Sequence, residues 1–587
     1  MTQSRTILTA VLIGSTALAW GAPLAAGPAA PAMATAASDS PDGSTLEEQF
    51  RDPPQSARPR VWWHWMNGNV TKDGIAKDLA WMKAVGIGGM QTFDANLQTP
   101  QLVDKRLVYM TPEWKDAFRF AATEADRLGL ELAIAASPGW SETGGPWVQP
   151  RDGLKKLVWS STDLVPGRRP AAPLASPPDR AGPYLDLRPA VSIEELLSGH
   201  SAPDGARHYG DVAVLAFPVV RTVALRPDAA SDLAGLSVDT ISLGDTRTGE
   251  GVSLSAKPGE PLGLRLSWAA PVTARSATVF LPDVVVPFAG ARFTARLEAS
   301  DEGTVWRRLA DVSLGNVPTT VGFPATTARQ FRLVLGPAAA RPALGSPAPG
   351  VAMPPLETMV GGALAARPPV VGTFRLSAEA LVDRFETKAG FVMSPDYYAL
   401  PAPQDGAVGI APGSVIDLSQ RLRPDGTLDW TPPKLPRGQA WRVLRLGYSL
   451  LGTTNHPATP EATGLEVDKY DGPAVRGYLE HYLGMYKDAA GPGLVGRRGV
   501  RALLTDSIEV GEANWTPRMV AQFQRLRGYD PRPWLPALTG TLVGTRADTD
   551  RFLYDYRRTL ADLFAQHVNG SVTPQAIDPS HPFPFLT

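Results

Sequence analysis

Between positions 61 and 137 the hydrophobic period alternates between strand-like and helix-like, and this restricts the fold class more than any other feature of the chain. Residues 61–65 read as strand one. Thr71 is placed as a helix N-cap, with Ile75, Leu79, Met82 and Val85 on one helical face and Gly86 where the helix stops. Residues 87–94 form strand two; Gly86, Gly88 and Gly89 precede a strand instead of opening a helix, so they are not a dinucleotide fingerprint. Thr111-Pro112-Glu113 supplies a cap, a first-turn proline and a first-turn acid, and Trp114, Phe118, Ala121, Ala125 and Leu128 carry the stripe to Gly129. Residues 130–137 are strand three, apolar enough to be buried on both faces of a parallel sheet. Strands and helices in this order specify an α/β architecture, and in barrel enzymes the loops after such strands form the active face.

The rest of the 587 residues is long enough for three or more domains. Residues 1–37 read as a signal peptide: Arg5, an apolar run over 7–20 too short to span a membrane comfortably, then Ala32-Met33-Ala34 and Ala34-Thr35-Ala36 as cleavage options. The chain is therefore expected to be exported, periplasmic or extracellular in a bacterium, without integral membrane association. A polar linker follows over 38–60, then three βα units over 61–155. Over 156–375 helical periodicity fades, and strand-like runs at 212–217, 264–268, 277–281, 293–298 and 331–335 indicate an all-β sandwich insertion. There Ser300-Asp301-Glu302-Gly303 forms a hairpin and Trp306 is placed in the core; residues 291–335 resemble galactose-binding-like jelly rolls. Over 376–570 βα order returns, with 415–418 and 428–430 as short strands, 441–451 as strand four, a helix over 473–487 and 500–507 as strand five. Helices capped by Thr516-Pro517 and spanning 551–568 come next, and 571–587 reads as an unstructured tail.

Charge is balanced, 57 basic against 58 acidic residues, with no like-charge run, so no nucleic-acid or anionic-membrane footprint is visible and an uncharged partner is expected. Cysteine is absent, which excludes disulfides, thiolate metal sites and a cysteine nucleophile; any metal must be held by oxygen or imidazole.

Candidate site residues cluster at strand ends. The run W-W-H-W-M-N-G-N over 62–69 offers Trp63 as a flat apolar platform and His64 and Asn67 as hydrogen-bonding groups, a combination suited to sugars. Its structural alternative is that Trp63 and Trp65 pack inward on alternate positions with His64 a satisfied neighbour. The loop after strand three carries Trp140 and Glu142, and Asp94 closes strand two, either in the site or in an Asx turn leading to Asn96. Two acidic groups follow later strands: Glu466 with Asp468 and Lys469, and Asp506 with Glu509. Glycoside hydrolysis needs a protonated carboxyl on the leaving oxygen and a second carboxylate as nucleophile or base, and neighbouring charges separate their pKa values. The alternative for Glu466 is a surface acid paired with Lys469.

Together, residues 62–69, the S-P-G-W-S-E-T-G-G-P-W loop over 137–147, G-L-E-V-D-K over 464–469 and D-S-I-E…N-W-T-P…R-G-Y-D over 506–530 resemble glycoside hydrolase family 106, the bacterial α-L-rhamnosidases. The resemblance covers about 58–565. It implies a (β/α)8-type catalytic barrel interrupted by β-sandwich insertions, calcium dependence, and inversion at the anomeric carbon of a terminal α-L-rhamnose in plant polysaccharides or glycosides. By motif, Glu466 is the general acid or its close support, and Glu509 a carboxylate of the same pocket. Calcium would take oxygens from Asp506, Glu509 or Asp468. Relative to the family the chain is expected to be truncated, with barrel strands six to eight missing. A non-catalytic carbohydrate-binding protein or an inactive fragment is the alternative, distinguished by binding without turnover.

Overall fold

A computed structural model describes residues 45–187, 205–221, 225–238, 251–254, 262–282, 284–286, 290–338, 368–393, 400, 403, 405–505, 508 and 511–569. The expected signal peptide and the expected tail lie outside them. The chain divides into two units, Met1–Ala57 and Arg58–Thr587. In the first, the stretch expected as linker contains a short helix, Leu46–Arg51, closed by a reciprocal capping box between Thr45 and Glu48.

The second unit is built on a parallel sheet in the order Arg60–Met66, Gly89–Ala95, Glu131–Ala135, Val500–Leu504. Two crossover helices form where their caps direct. The Thr71 hydroxyl accepts from Gly74 N at the start of Lys72–Ala84, and Thr111 with Pro112 opens Pro112–Leu128, which Gly129 ends at φ 68°. Their buried stripes are Ile75, Leu79 and Met82 on one, and Trp114, Phe118, Ala121 and Ala125 among others on the second. Val85, expected on the first stripe, is 54% exposed, because it occupies the C-cap where the chain leaves the helical path. The helix Gly472–Ala490 adds Tyr478, Tyr482 and Tyr486 to the same core, with Tyr486 edge-on to both Trp114 and Phe118. Among the described residues this sheet is open, with four strands and no closed barrel.

Residues 441–451 are not a fourth barrel strand. Gln439–Leu450 lies between Lys155–Leu164 and Tyr209–Val220 in an antiparallel sheet whose far edge is Ile416–Asp417. A run buried on both faces looks the same in the centre of either kind of sheet. The arginines within it discriminate: Arg442 sits directly opposite Asp163 and bonds it, and Arg445 bonds Asp211, cross-strand charge pairs of an antiparallel ladder. This sheet also crosses the expected domain boundaries at 156 and 376. The expected strand at 428–430 is reduced to a bridge between Leu422 and Leu428.

A third, seven-stranded sheet contains the expected all-β runs from 264 onward: Arg307–Val312, Phe293–Ser300, Thr319–Pro337, Leu262–Phe280, Ala229–Asp232 and Ser237–Val238 in order, with Thr373–Ser377 also pairing Leu262–Phe280. The run at 212–217 belongs instead to the antiparallel sheet. The hairpin at 300–303 is present. Trp306 is half-buried and outside the core: Arg332 stacks 4.0 Å from its ring, and its N–H donates to Gly303 O at 3.1 Å. Beyond the parallel sheet, Met519–Arg527 begins at Arg518 without a side-chain cap, in place of the expected Thr516 cap. Arg546–Phe564 carries the expected stripe Phe552, Tyr556, Leu560 and Leu563.

Two glycines test this packing in opposite directions. A Cβ on Gly89 would stand 2.5 Å from Glu131 O in the adjacent strand, whereas one on Gly477, exposed in the interior of Gly472–Ala490, meets nothing within 4 Å. Gly89→Ala is expected to lower unfolding stability by about 1–3 kcal/mol through overpacking. Gly477→Ala is expected to raise it by about 0.5–1 kcal/mol. Urea unfolding of both variants checks the pair.

Candidate active site

The loop that follows the third parallel strand is fastened to the segment that follows Gln439–Leu450. Trp140 N and Ser141 N both donate to His456 O, at 2.9 and 3.1 Å, and Gly145 N donates to Leu465 O at 3.2 Å. Asn455 completes the joint: its Nδ2 donates to Pro138 O (2.9 Å) and Ala462 O (3.1 Å), and its Oδ1 accepts from Gly464 N (2.8 Å). Gly139, at φ 85°, lets the backbones meet, since a Cβ there would lie 2.5 Å from His456 O.

Inside this joint three ionisable side chains share one enclosure. Glu466 is fully buried, and its Oε2 accepts from Lys469 Nζ at 2.8 Å and from Thr143 Oγ1 at 3.2 Å; Lys469 also bonds Thr143 Oγ1 at 2.7 Å. Glu142 Oε2 lies 4.0 Å from the same ammonium. Neither Glu142 Oε2 nor Glu466 Oε1 has a hydrogen-bond partner, although both are buried. Burial pushes the Glu142 carboxyl up to about 7; Lys469 opposes that rise and Glu466 adds to it.

Beside the enclosure lies an aromatic shelf. Trp140 Nε1 donates to His64 Nε2 at 3.1 Å, which assigns the His64 proton to Nδ1, and burial lowers the His64 pKa, favouring that neutral acceptor form. His64 stacks on Phe93 with centroids 5.2 Å apart, and Trp62, 58% exposed, meets both rings.

Other expected site residues are placed elsewhere. In the parallel register Trp63 pairs Thr92 and Trp65 pairs Asp94, so these side chains share the face opposite to His64. Trp63 Nε1 donates to Asp78 of the first crossover helix at 2.9 Å, and Asp94 accepts from Trp114 Nε1 of the second at 2.9 Å. The inward-packing alternative thus describes Trp63 and Trp65. Asn67, at φ 50°, turns the chain and donates to Thr99 O at 2.6 Å. Asp468 is committed to Lys155 at 3.2 Å, both side chains being fully buried. Asp506 and Glu509 lie outside the described residues.

The alpha-L-rhamnosidase model of glycoside hydrolase family 106 matches residues 51–578, which include every element of this site. The chain belongs to this family. A solved structure, the rhamnosidase from Novosphingobium sp. PP1Y, is 62% identical, with a TM-score of 0.79 over 90% of this chain and 46% of that one. A protein of Formosa agariphila named "Putative beta-glucuronidase" is 27% identical over 528 residues, 90% of this chain and 29% of its own length. The chain therefore spans less than half of either relative.

In this family member, no group of three or more His, Asp or Glu side chains among the described residues is arranged to hold a metal. Asp468, the one described residue among the expected calcium ligands, faces the Lys155 ammonium instead, as Glu466 faces Lys469, so these two carboxylates do not fit calcium. Three residues with evident work in the site were not singled out from sequence: Thr143, Asn455 and Tyr478, whose hydroxyl donates to Ala136 O (2.7 Å) and Gly144 O (3.0 Å). Asn455 stood visible in Asn455-His456-Pro457, and Tyr478 begins a tyrosine stripe with Tyr482 and Tyr486.

Asp94 supplies a prediction for the helix-facing side. Burial pushes its carboxyl up to about 7, against the lowering effect of the Trp114 bond. An unfolded aspartate titrates near 3.9, so the folded state binds the extra proton between about 4 and 7. Stability from this group is full below that range and is lost as pH rises through about 7. Asp94→Asn, which can still accept from Trp114, is expected to flatten the decline, as read by urea midpoints at pH 5 and pH 8.

Proposed function

We propose that this chain carries the loop face of an exported enzyme that releases terminal α-L-rhamnose from plant polysaccharides or glycosides with inversion. What carries the reading is the buried Glu142–Lys469–Glu466 cluster, set beside the His64–Trp140 shelf at the end of a parallel strand. A 6-deoxy sugar presents an apolar methyl edge and a few hydroxyls, which suits half-buried aromatic rings flanked by a neutral histidine acceptor.

In such a reaction one carboxyl protonates the leaving oxygen while a second carboxylate activates water on the opposite face of the ring. Glu466, paired with Lys469, takes the part of close support to the acid, and Glu509 that of a carboxylate of the same pocket. His64 and Trp140 bind the sugar, and Thr143 and Lys469 hold Glu466 in place. Calcium enters from the family alone, with Asp506 and Glu509 as its oxygen donors. The open parallel sheet is read as part of a (β/α)8-type barrel, the seven-stranded sheet as a galactose-binding-like sandwich, and residues 1–37 as the signal for periplasmic or extracellular delivery.

The name of the Formosa relative raises a uronide as the competing substrate. A uronate carboxylate needs an available cation, and Lys469, the lysine of this cluster, already bonds Glu466 and Thr143 beside a second acid. A neutral sugar is therefore favoured.

Incubating the chain with 4-nitrophenyl α-L-rhamnoside and with the corresponding β-D-glucuronide tests the reading. Turnover of the rhamnoside alone is expected, and Glu466→Gln should reduce it by about 10²–10⁴. Turnover of the glucuronide alone, or rhamnose binding without hydrolysis of any aryl glycoside, would overturn the assignment.

A further inference from the structure

Glu142 is more constrained than sugar binding requires. It is 4% exposed, its Oε2 has no hydrogen-bond partner, and it stands 4.0 Å from an ammonium that Glu466 holds at 2.8 Å. Two carboxyls and one ammonium inside one enclosure leave a single negative charge uncompensated if both acids are ionised. An ionised carboxylate without a partner away from water is strongly disfavoured, and a buried acid in that position takes up a proton instead.

Geometry decides which acid holds it. Glu466 Oε2 accepts from both Lys469 and Thr143, while Glu142 has no hydrogen-bond donor in reach of its buried oxygen. Hydrogen bonds to the ionised form keep a carboxylate charged, and their absence favours the neutral acid. Among the described residues, the polar groups around the enclosure are already engaged with other partners. From the helix Gly472–Ala490, Tyr478 is a neutral donor to Ala136 O and Gly144 O. His64 of the first strand is bonded to Trp140, and the His456 ring contacts Thr454 O at 3.1 Å.

We propose that Glu142 is a positioning residue that keeps the cluster's one proton, leaving Lys469 wholly to Glu466, and that its ionisation sets the alkaline limit of activity. When Glu142 loses the proton it competes for the ammonium, and the Lys469–Glu466 bond loosens. The carboxyl pushed up to about 7 locates that limit near neutrality. In proton terms the change is one proton released from the Glu142 carboxyl to solvent, with no other covalent bond made or broken.

This inference rests on the rhamnosidase reading for its kinetic arm and is independent of it for the spectroscopic one. Wild-type-minus-Glu142→Gln infrared spectra, recorded from pH 5 to 9, should contain a neutral carboxyl C=O band that fades as pH passes about 7, the bands of the other raised carboxyls, Asp94 among them, cancelling because both proteins share them. In pH profiles of kcat/KM on an aryl α-L-rhamnoside, Glu142→Gln should move the alkaline limb upward by more than one pH unit, and Glu142→Asp should retain it. A missing band overturns the proton assignment whether or not the chain turns over. An unmoved limb overturns the positioning role even where rhamnoside hydrolysis is confirmed. A Glu142→Gln variant that hydrolyses activated aryl rhamnosides normally but fails at every pH on poor leaving groups also overturns it, by making Glu142 the proton donor itself.

Discussion

The site depends on the joint between the loop after the third parallel strand and the segment after Gln439–Leu450, whose members Pro138 and Asn455 lie 317 positions apart. That joint is delivered by the antiparallel sheet. Leu450 pairs with Lys155, so the residues after the one and before the other leave the sheet at the same end, and Leu451 N donates to Leu154 O at 2.8 Å. The two segments then run together through Leu154 N to Glu466 O and Gly145 N to Leu465 O. A strand in the antiparallel layer, and not an additional barrel strand, thus brings Glu466 and Lys469 against Thr143 and Glu142.

Stability alone does not account for the charges placed there. Lys155 with Asp468 and Lys469 with Glu466 are both almost completely removed from water, and pairs of this kind are often no more stabilising than apolar residues of the same volume. What they contribute is definition, because a lost partner leaves a buried charge unpaired and so each group has one acceptable position. The two pairs also divide the labour. Lys155 additionally donates to Gly153 O, and Asp468 receives Tyr470 N, so this pair ties backbone to backbone. Lys469 and Glu466 instead bond a loop hydroxyl and leave one carboxylate oxygen unused.

Much of the parallel layer was legible in the sequence because its signals are local. Thr71, the Thr111-Pro112 pair and Gly129 act within one helical turn, and the stripes at Ile75, Leu79 and Met82 need no knowledge of the partner. Faces were harder. The alternation in W-W-H-W guarantees that His64 points away from Trp63 and Trp65, but which side meets the helices is decided by Asp78, Trp114 and Phe118, all distant in sequence. The apolar run at 441–451 identifies a buried strand but not its sheet, since apolar content does not record a partner's direction. Asn455 was visible in its motif, yet its importance lies in three main-chain groups it satisfies, which only the folded loops bring within reach.

Asp94 and Glu142 are both pushed up to about 7, and they lie on different sides of the chemistry. Asp94 bonds a helix tryptophan in the layer between sheet and helices, so its ionisation is felt as stability. Glu142 sits in the loop joint, so its ionisation acts on the Lys469–Glu466 bond. The two are mechanically connected, because Asp94 O accepts from Gly139 N at 2.7 Å and Gly139 opens the loop that carries Glu142. Loss of activity above neutral pH would therefore mix a local rearrangement with a weakening of the strand end beneath it. Asp94→Asn removes the second contribution while leaving the Glu142 carboxyl in place. An alkaline limb that persists in that variant belongs to the loop cluster, and one that vanishes with it belongs to the support under the loop.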